Sequence, residues 1–215
     1  MGYITNLPVN GAFNVTAYFG QQNKKYWANG HKGIDITAAD RNLYAICDGK
    51  VTAVGYDADG WGHYVSVMPN GFERIRFILC HMVKGSIKVK KGDKVSRTHA
   101  LGTMGSTGNS SGVHVHVECR IDNTSVDPTP YLGIENEKAT GLKDTDFKTS
   151  FDKSNEILQQ MLDKFDGKSA PAKDYKALYE QKCAENSKLE EKVKDLSAQV
   201  SSLNKKISAA KAALE

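Results

Sequence analysis

Hydrophobic and polar positions along the chain follow two periods. Up to about residue 132, short runs alternate apolar and polar side chains and are punctuated by glycine. A period of two marks strands with one buried face. Asp48-Gly49 stands between residues 43–47 and 50–54, and Asn70-Gly71 between 64–68 and 72–79; both patterns predict hairpins. Lys91-Gly92-Asp93 reads as a further turn. Helix-period stretches are nearly absent here, so an all-β or β-dominated domain of at least six strands is expected.

Beyond residue 132 the period becomes helical. Phe147, Phe151, Leu158, Met161, Leu162 and Phe165 form one stripe that stops at Gly167 and Pro171. Such a helix could dock on the first domain or on another helix. Residues 168–173 read as a linker, and Asp174 as the N-cap of a longer helix. There Val193, Val200, Ile207 and Leu214 recur every seven residues, Leu189, Leu196, Leu203 and Ala210 form the second seam, and Asn186 precedes Val193 by one heptad. Branched residues at a, leucine at d and one asparagine at a suit a parallel two-stranded coiled coil. Glu185 against Glu190 and Lys206 against Lys211 would repel in that arrangement, so an antiparallel pair, a trimer or another partner stays open. The expected organisation is a β-domain over 1–132, a helical linker region over 133–173 and a coiled-coil helix over 174–215 that makes a homo-oligomer, a dimer in the favoured form. The heptads run to the last residue, which suggests a chain cut short.

Composition sharpens this division. Residues 1–132 hold 16 of the 19 glycines, both tryptophans and all six histidines, with 14 Lys+Arg against 10 Asp+Glu, the whole of the net +4. That excess is too small to imply nucleic-acid binding. No run approaches the roughly 18 apolar residues of a membrane span, and the N-terminus lacks the basic and apolar segments of a secretory signal. Cys47, Cys80, Cys119 and Cys183 form no CxxC pair, which argues against a disulfide scaffold or a cysteine-rich zinc knuckle.

The chemistry lies in the histidines. Val113-His114-Val115-His116-Val117-Glu118-Cys119 alternates strictly, so His114, His116 and Glu118 share one strand face and the valines the other. An exposed face that happens to carry histidine is the plain alternative. His31, Gly33 and Asp35 share a face in the same way, opposite Ile34 and Ile36, and Gly33 allows a metal or a backbone to come close. Imidazole and carboxylate are zinc ligands, and catalytic zinc commonly keeps three protein ligands. Glu118 reads as a partner of a ligand or as structural. Cys80 is expected on the opposite strand face from His81, in the core, and Cys47 and Cys119 read as buried small hydrophobes. His63 and His99 read as structural; Trp61 either lines a groove or is an ordinary turn aromatic. The basic stretch 84–97 reads as a solvated hairpin, with attraction to an anionic polymer as the alternative. Residues 105–112 are glycine-rich but lack the Gly-Lys-Ser/Thr ending of a phosphate loop, which excludes nucleotide binding.

These motifs together resemble the M23, or lysostaphin-like, metallopeptidases that cut peptides of bacterial peptidoglycan. The likeness covers residues 19–132: Gly30-His-Lys-Gly-Ile-Asp-Ile36, Leu43-Tyr-Ala-Ile-Cys-Asp-Gly-Lys-Val51, Val89-Lys-Lys-Gly-Asp-Lys-Val95, residues 101–112, His114-Val-His-Val-Glu118 and Val126-Asp-Pro-Thr-Pro-Tyr-Leu132. By that resemblance His31, Asp35 and His116 would bind Zn2+, and His81 and His114 would be the non-ligand catalytic histidines. The chain departs from the family at Leu79-Cys80-His81, where Tyr-x-His is usual, and at Gly62-His63, where Gly-Asn is frequent. Tyr26 is a candidate substitute for the lost tyrosine. The resemblance implies a zinc metalloendopeptidase acting on the cell wall, with activity falling below about pH 6 as a histidine of ordinary pKa is protonated. A phage lysin or virion component is expected as its setting. The alternatives are an inactive wall-binding or hydrolase-activating relative, and a coiled-coil component of a phage tail.

Overall fold

The computed structural model describes residues 6–25, 27–142, 154–167 and 195. The chain divides into two units, Met1–Lys168 and Ser169–Glu215. The coiled-coil expectation for 174–215 falls outside the described residues apart from Asp195, as does the proposed substitute Tyr26.

The first unit is built on one antiparallel sheet. Its strands are β1 (Phe13–Ala17), β2 (Ile34–Ala38), β4 (Gly49–Asp57), β5 (Gly62–Pro69), β6 (Ile75–Met82), β7 (Lys94–Val95), β9 (Val115–Ile121), β10 (Thr124–Val126) and β11 (Ala139–Leu142). The order is β11-β1-β2-β9-β6-β5-β4-β7, with β10 paired to β9. A two-stranded sheet of β3 (Asn42–Tyr44) and β8 (Ala100–Thr103) completes the β structure of the described residues. Alternation decides which residues enter the core: Ile34 and Ile36 of β2, Phe77 and Leu79 of β6, and Val115, Val117 and Cys119 of β9 are buried in one cluster. Cys47 joins them, as expected. No helix among the described residues is long and apolar enough to cross a membrane.

Two local expectations change. Residues around Asp48-Gly49 do not make a hairpin: β3 pairs with β8, while β4 pairs with β5 and β7. Gly49 has no left-handed backbone; it is needed because a Cβ there would overlap the carbonyl of Met68. The Asp48 carboxylate instead accepts from the Arg97 backbone N–H. The Asn70-Gly71 connection does join antiparallel β5 and β6, with Gly71 at φ +80°, but through a longer turn in which Phe72 N–H donates to Pro69 O.

The first unit also runs past residue 132, the boundary expected for the β-domain. After α1 (Thr129–Leu132), β11 adds to the edge of β1, and α2 (Ser154–Phe165) packs its apolar stripe onto the core. Leu158 is 1% exposed, while Ile157, Met161 and Leu162 pack beside it, so of the two expected docking sites for this helix the structure takes the β-domain. Ser154 Oγ is tied to Arg97 Nη1 and Asn6 Nδ2, which donate to it. Phe147 and Phe151 of the expected stripe lie outside the described residues.

Candidate metal centre

Strand pairing assembles the centre. Asp35 of β2 stands directly opposite His116 of β9, so their side chains leave the sheet on the same face. Gly33 lets the two strands approach: a Cβ there would overlap Val117 O and lie 2.9 Å from His116 Cε1. His31 precedes β2 and is 2% exposed, with the Trp27 indole packed on its ring at 4.2 Å. Its Nδ1–H donates to Tyr18 O at 3.1 Å, which leaves a lone pair at Nε2. At His116 the arrangement is reversed: Nε2–H donates to Glu118 Oε1 at 3.2 Å, leaving the lone pair at Nδ1.

Three acceptor atoms therefore converge. His31 Nε2 lies 2.9 Å from His116 Nδ1 and 3.2 Å from Asp35 Oδ1, and His116 Nδ1 lies 2.8 Å from Asp35 Oδ1. Acceptors this close, in residues 2–7% exposed, require positive charge between them. A proton supplies it in part. Burial disfavours a charged His116, but hydrogen bonds to Asp35 and Glu118 outweigh it and push the pKa up to about 9. Burial likewise works against the Asp35 carboxylate, and its bonds with His116 and His31 hold it well below the usual range. A divalent metal supplies the charge more completely. Two imidazoles and one carboxylate are a zinc donor set, and tetrahedral bonds of about 2.0 Å put ligands roughly 3.3 Å apart. Among the described residues His31, Asp35 and His116 are the group that could hold a metal ion.

Two further imidazoles border this group. His114 Nδ1–H donates to Gly112 O at 2.8 Å, and its Nε2 lies 3.7 Å from Asp35 Oδ1. His81 Nδ1–H donates to Thr107 O at 2.8 Å. Both rings are thus anchored through Nδ1 with Nε2 left for chemistry, and their centroids are 4.7 Å apart. Burial, then the neighbouring His114, push the His81 pKa down to about 4, so for this residue the expected loss of the basic form near pH 6 moves to lower pH.

His81 reaches the site through an irregularity. Ile78 faces Glu118 across β6 and β9, so alternation puts Cys80 on the Glu118 side and His81 on the core side with Leu79. A register shift between β5 and β6 and a left-handed His81, at φ 62°, break that alternation. Cys80 is buried, as its core reading expected, although it stands outside the main apolar cluster. Glu118 and Asp35 are near enough, after burial itself, to help push its thiol well above the ordinary range. Leu79, where a tyrosine was expected, is part of the core.

The glycine-rich loop and Trp61 contribute in ways their sequence did not announce. Thr107 Oγ1 donates to Met82 O and accepts from His63 N–H, which fixes the carbonyl that holds His81. Gly62 and Gly108 both have left-handed backbones, and a Cβ on either would overlap the other segment, so the loop is clamped on the start of β5. Trp61 Nε1–H donates to Glu118 Oε1 at 2.8 Å, which neither the groove nor the turn reading foresaw. His63 packs against Tyr56, tilted and with ring centroids 4.6 Å apart, consistent with a structural role.

Comparison with known proteins gives a consistent result. Residues 29–128 match peptidase family M23. The glycyl-glycine endopeptidase ALE-1 of Staphylococcus capitis is 30% identical over 129 residues, which are 56% of this chain and 34% of that protein. The peptidoglycan DD-endopeptidase ShyB of Vibrio cholerae is 34% identical over 98 residues, 45% of this chain and 22% of that one. A metalloprotease of Haemophilus influenzae is 34% identical over 99 residues, 46% of this chain and 20% of that one. The chain thus spans between 20% and 34% of the length of these relatives. The solved catalytic domain of lysostaphin from Staphylococcus simulans superposes with a TM-score of 0.51 at 26% identity, covering 56% of this chain and 92% of that domain.

Proposed function

We propose that the protein, whose residues 29–128 match peptidase family M23, is a zinc-dependent endopeptidase that hydrolyses stem or cross-bridge peptides of bacterial peptidoglycan. The observation that carries this reading is the convergence of His31 Nε2, Asp35 Oδ1 and His116 Nδ1 beside two imidazoles that are not part of the group. His31, Asp35 and His116 would hold the zinc, which would supply a Lewis acid for the scissile carbonyl and for a water of pKa about 7. His114 and His81 move protons at Nε2: a neutral ring takes one from water, and a protonated ring gives one to the departing amine or stabilises the oxyanion. Their Nδ1 bonds to Gly112 O and Thr107 O keep each ring in the tautomer this needs.

The test has two parts. Metal analysis should find one zinc per chain, lost in a folded His116→Ala variant. Digestion of defined muropeptides should release new amino groups at a single type of bond. Zinc retained in the variant, or walls left uncut by zinc-loaded protein, would reject the reading; the second result would point to a wall-binding role. We extend the proposal to a phage lysin or virion component, tested by looking for the chain in purified virions and lysates. Self-association through 174–215 is proposed from the heptads alone; a monomer in light scattering at tens of micromolar would rule it out.

A further inference from the structure

Behind the three converging atoms lies a second layer that the proposed function does not use. Glu118 is 2% exposed and both of its oxygens are occupied. Oε1 accepts from His116 Nε2 at 3.2 Å and from Trp61 Nε1 at 2.8 Å. Oε2 accepts from Arg120 Nε at 2.6 Å and from Ser125 Oγ at 3.4 Å. The Arg120 guanidinium also lies over the Trp61 ring, 4.8 Å from its centroid, and Tyr64 meets that ring edge-on. On its other side Trp61 offers its carbonyl, which accepts from the His81 backbone N–H at 2.7 Å.

We propose that Glu118 is a positioning residue and Trp61 its clamp: together they hold the His116 proton at Nε2 and so direct Nδ1 to the metal. The inference rests on the zinc reading above. An imidazole has two nitrogens and, when neutral, one proton. An ionised carboxylate can only accept, so its bond to Nε2 is satisfied in one tautomer alone. Trp61 can only donate, and its indole N–H cannot replace Glu118 as the acceptor. It instead holds Oε1, while Arg120 and Ser125 hold Oε2. With that carboxylate removed, the proton can move to Nδ1, which withdraws the lone pair facing Asp35, or the ring can rotate in place. Through its carbonyl Trp61 also fixes the backbone of His81, so one residue holds the frame for a ligand and for a proton-transfer group.

Zinc affinity, measured by chelator competition at fixed pH on the full chain, tests this with Glu118→Ala, Glu118→Gln and Trp61→Phe, with thermal unfolding run alongside. Removing an outer partner of a metal-bound histidine weakens metal binding about 10–100-fold. Glu118→Ala should show that loss. Glu118→Gln should recover part of it, because the amide oxygen accepts the same N–H, and Trp61→Phe should lose less than Glu118→Ala. Nitrogen-15 histidine spectra of the zinc-loaded proteins add a readout that a purely structural role would not move: Nδ1 coordination by His116 in the wild type, Nε2 or mixed coordination in Glu118→Ala. A folded Glu118→Ala protein with wild-type affinity and an unchanged spectrum overturns the inference. Should that variant not fold, wild-type affinity in both Glu118→Gln and Trp61→Phe overturns it. A wild type that takes up no zinc defeats the metal reading itself, whereas a wild type that binds zinc no better than Glu118→Ala defeats only the role given to Glu118.

Discussion

Replacing Gly33 by alanine tests the link between sheet packing and the metal centre. The backbone at Gly33 is not left-handed, so alanine is excluded by space and not by conformation. Its Cβ would overlap Val117 O and sit 2.9 Å from His116 Cε1. Carbon and oxygen normally stay about 3.3 Å or more apart, so β2 and β9 would have to part by about 1 Å. Those strands carry Asp35 and His116 opposite each other, and the same movement separates two of the three converging atoms. A 1 Å misplacement can cost about 10²-fold in rate. Overpacking costs about 1–3 kcal/mol, and in a domain of this size each kcal/mol lowers Tm by about 2–4 °C. Gly33→Ala should therefore melt about 5 °C lower, bind zinc more weakly and cut muropeptides about 10²-fold more slowly. Calorimetry, chelator competition and amino-group release measure the three effects. Wild-type values in all three would show that Gly33 does not set the spacing of β2 and β9.

Other expectations separate the remaining roles. His81→Ala and His114→Ala should keep zinc yet lose about 10²–10⁴-fold in turnover; near-wild-type turnover in either removes that residue from catalysis. His81 should also cost stability in acid: above pH 6.5 both folded and unfolded chains hold it neutral, but from 6.5 down to about 4 only the unfolded chain takes up the proton. The loss reaches about 3 kcal/mol by pH 4, and urea titrations of metal-free protein at pH 7, 5.5 and 4 should show it shrink in His81→Gln. Leu158→Ala should destabilise the first unit by about 2–5 kcal/mol without changing zinc affinity; a variant as stable as wild type would mean that α2 does not depend on this core contact.

How far the site was legible depended on how local its causes are. His31-x-x-x-Asp35 and His114-x-His116 could be read because strand alternation assigns faces, and those faces hold, with Ile34, Ile36, Val115 and Val117 all in the core. Alternation says nothing about which strands pair, so the opposition of Asp35 and His116 needed the fold. It also gave no warning of the register shift between β5 and β6, which comes from the partner strand, or of the left-handed His81, which leaves no glycine as a signal. Asp48-Gly49 misled for a related reason: its glycine answers a close approach of Met68 and not a turn. The bond from Trp61 to Glu118 spans 57 residues, and no spacing in the chain encodes it. The boundary at 132 followed a change in composition, but buried contacts crossing it, such as Leu158, belong to the first unit.

The position of β11 has a consequence for solubility. A sheet edge with unpaired backbone groups is a template for joining other chains. At one end of this sheet β7, two residues long with an exposed lysine, covers only Gly49 and Lys50 of β4. At the other end β1 carries the buried residues Phe13, Val15 and Ala17 on one face, and β11 covers its outer side. Removal of 133–142 would uncover this apolar strand together with its hydrogen-bonding edge. A nick in the stretch before β11 would then show first as stickiness, through edge-to-edge stacking of intact sheets, before any ligand of the metal centre had moved.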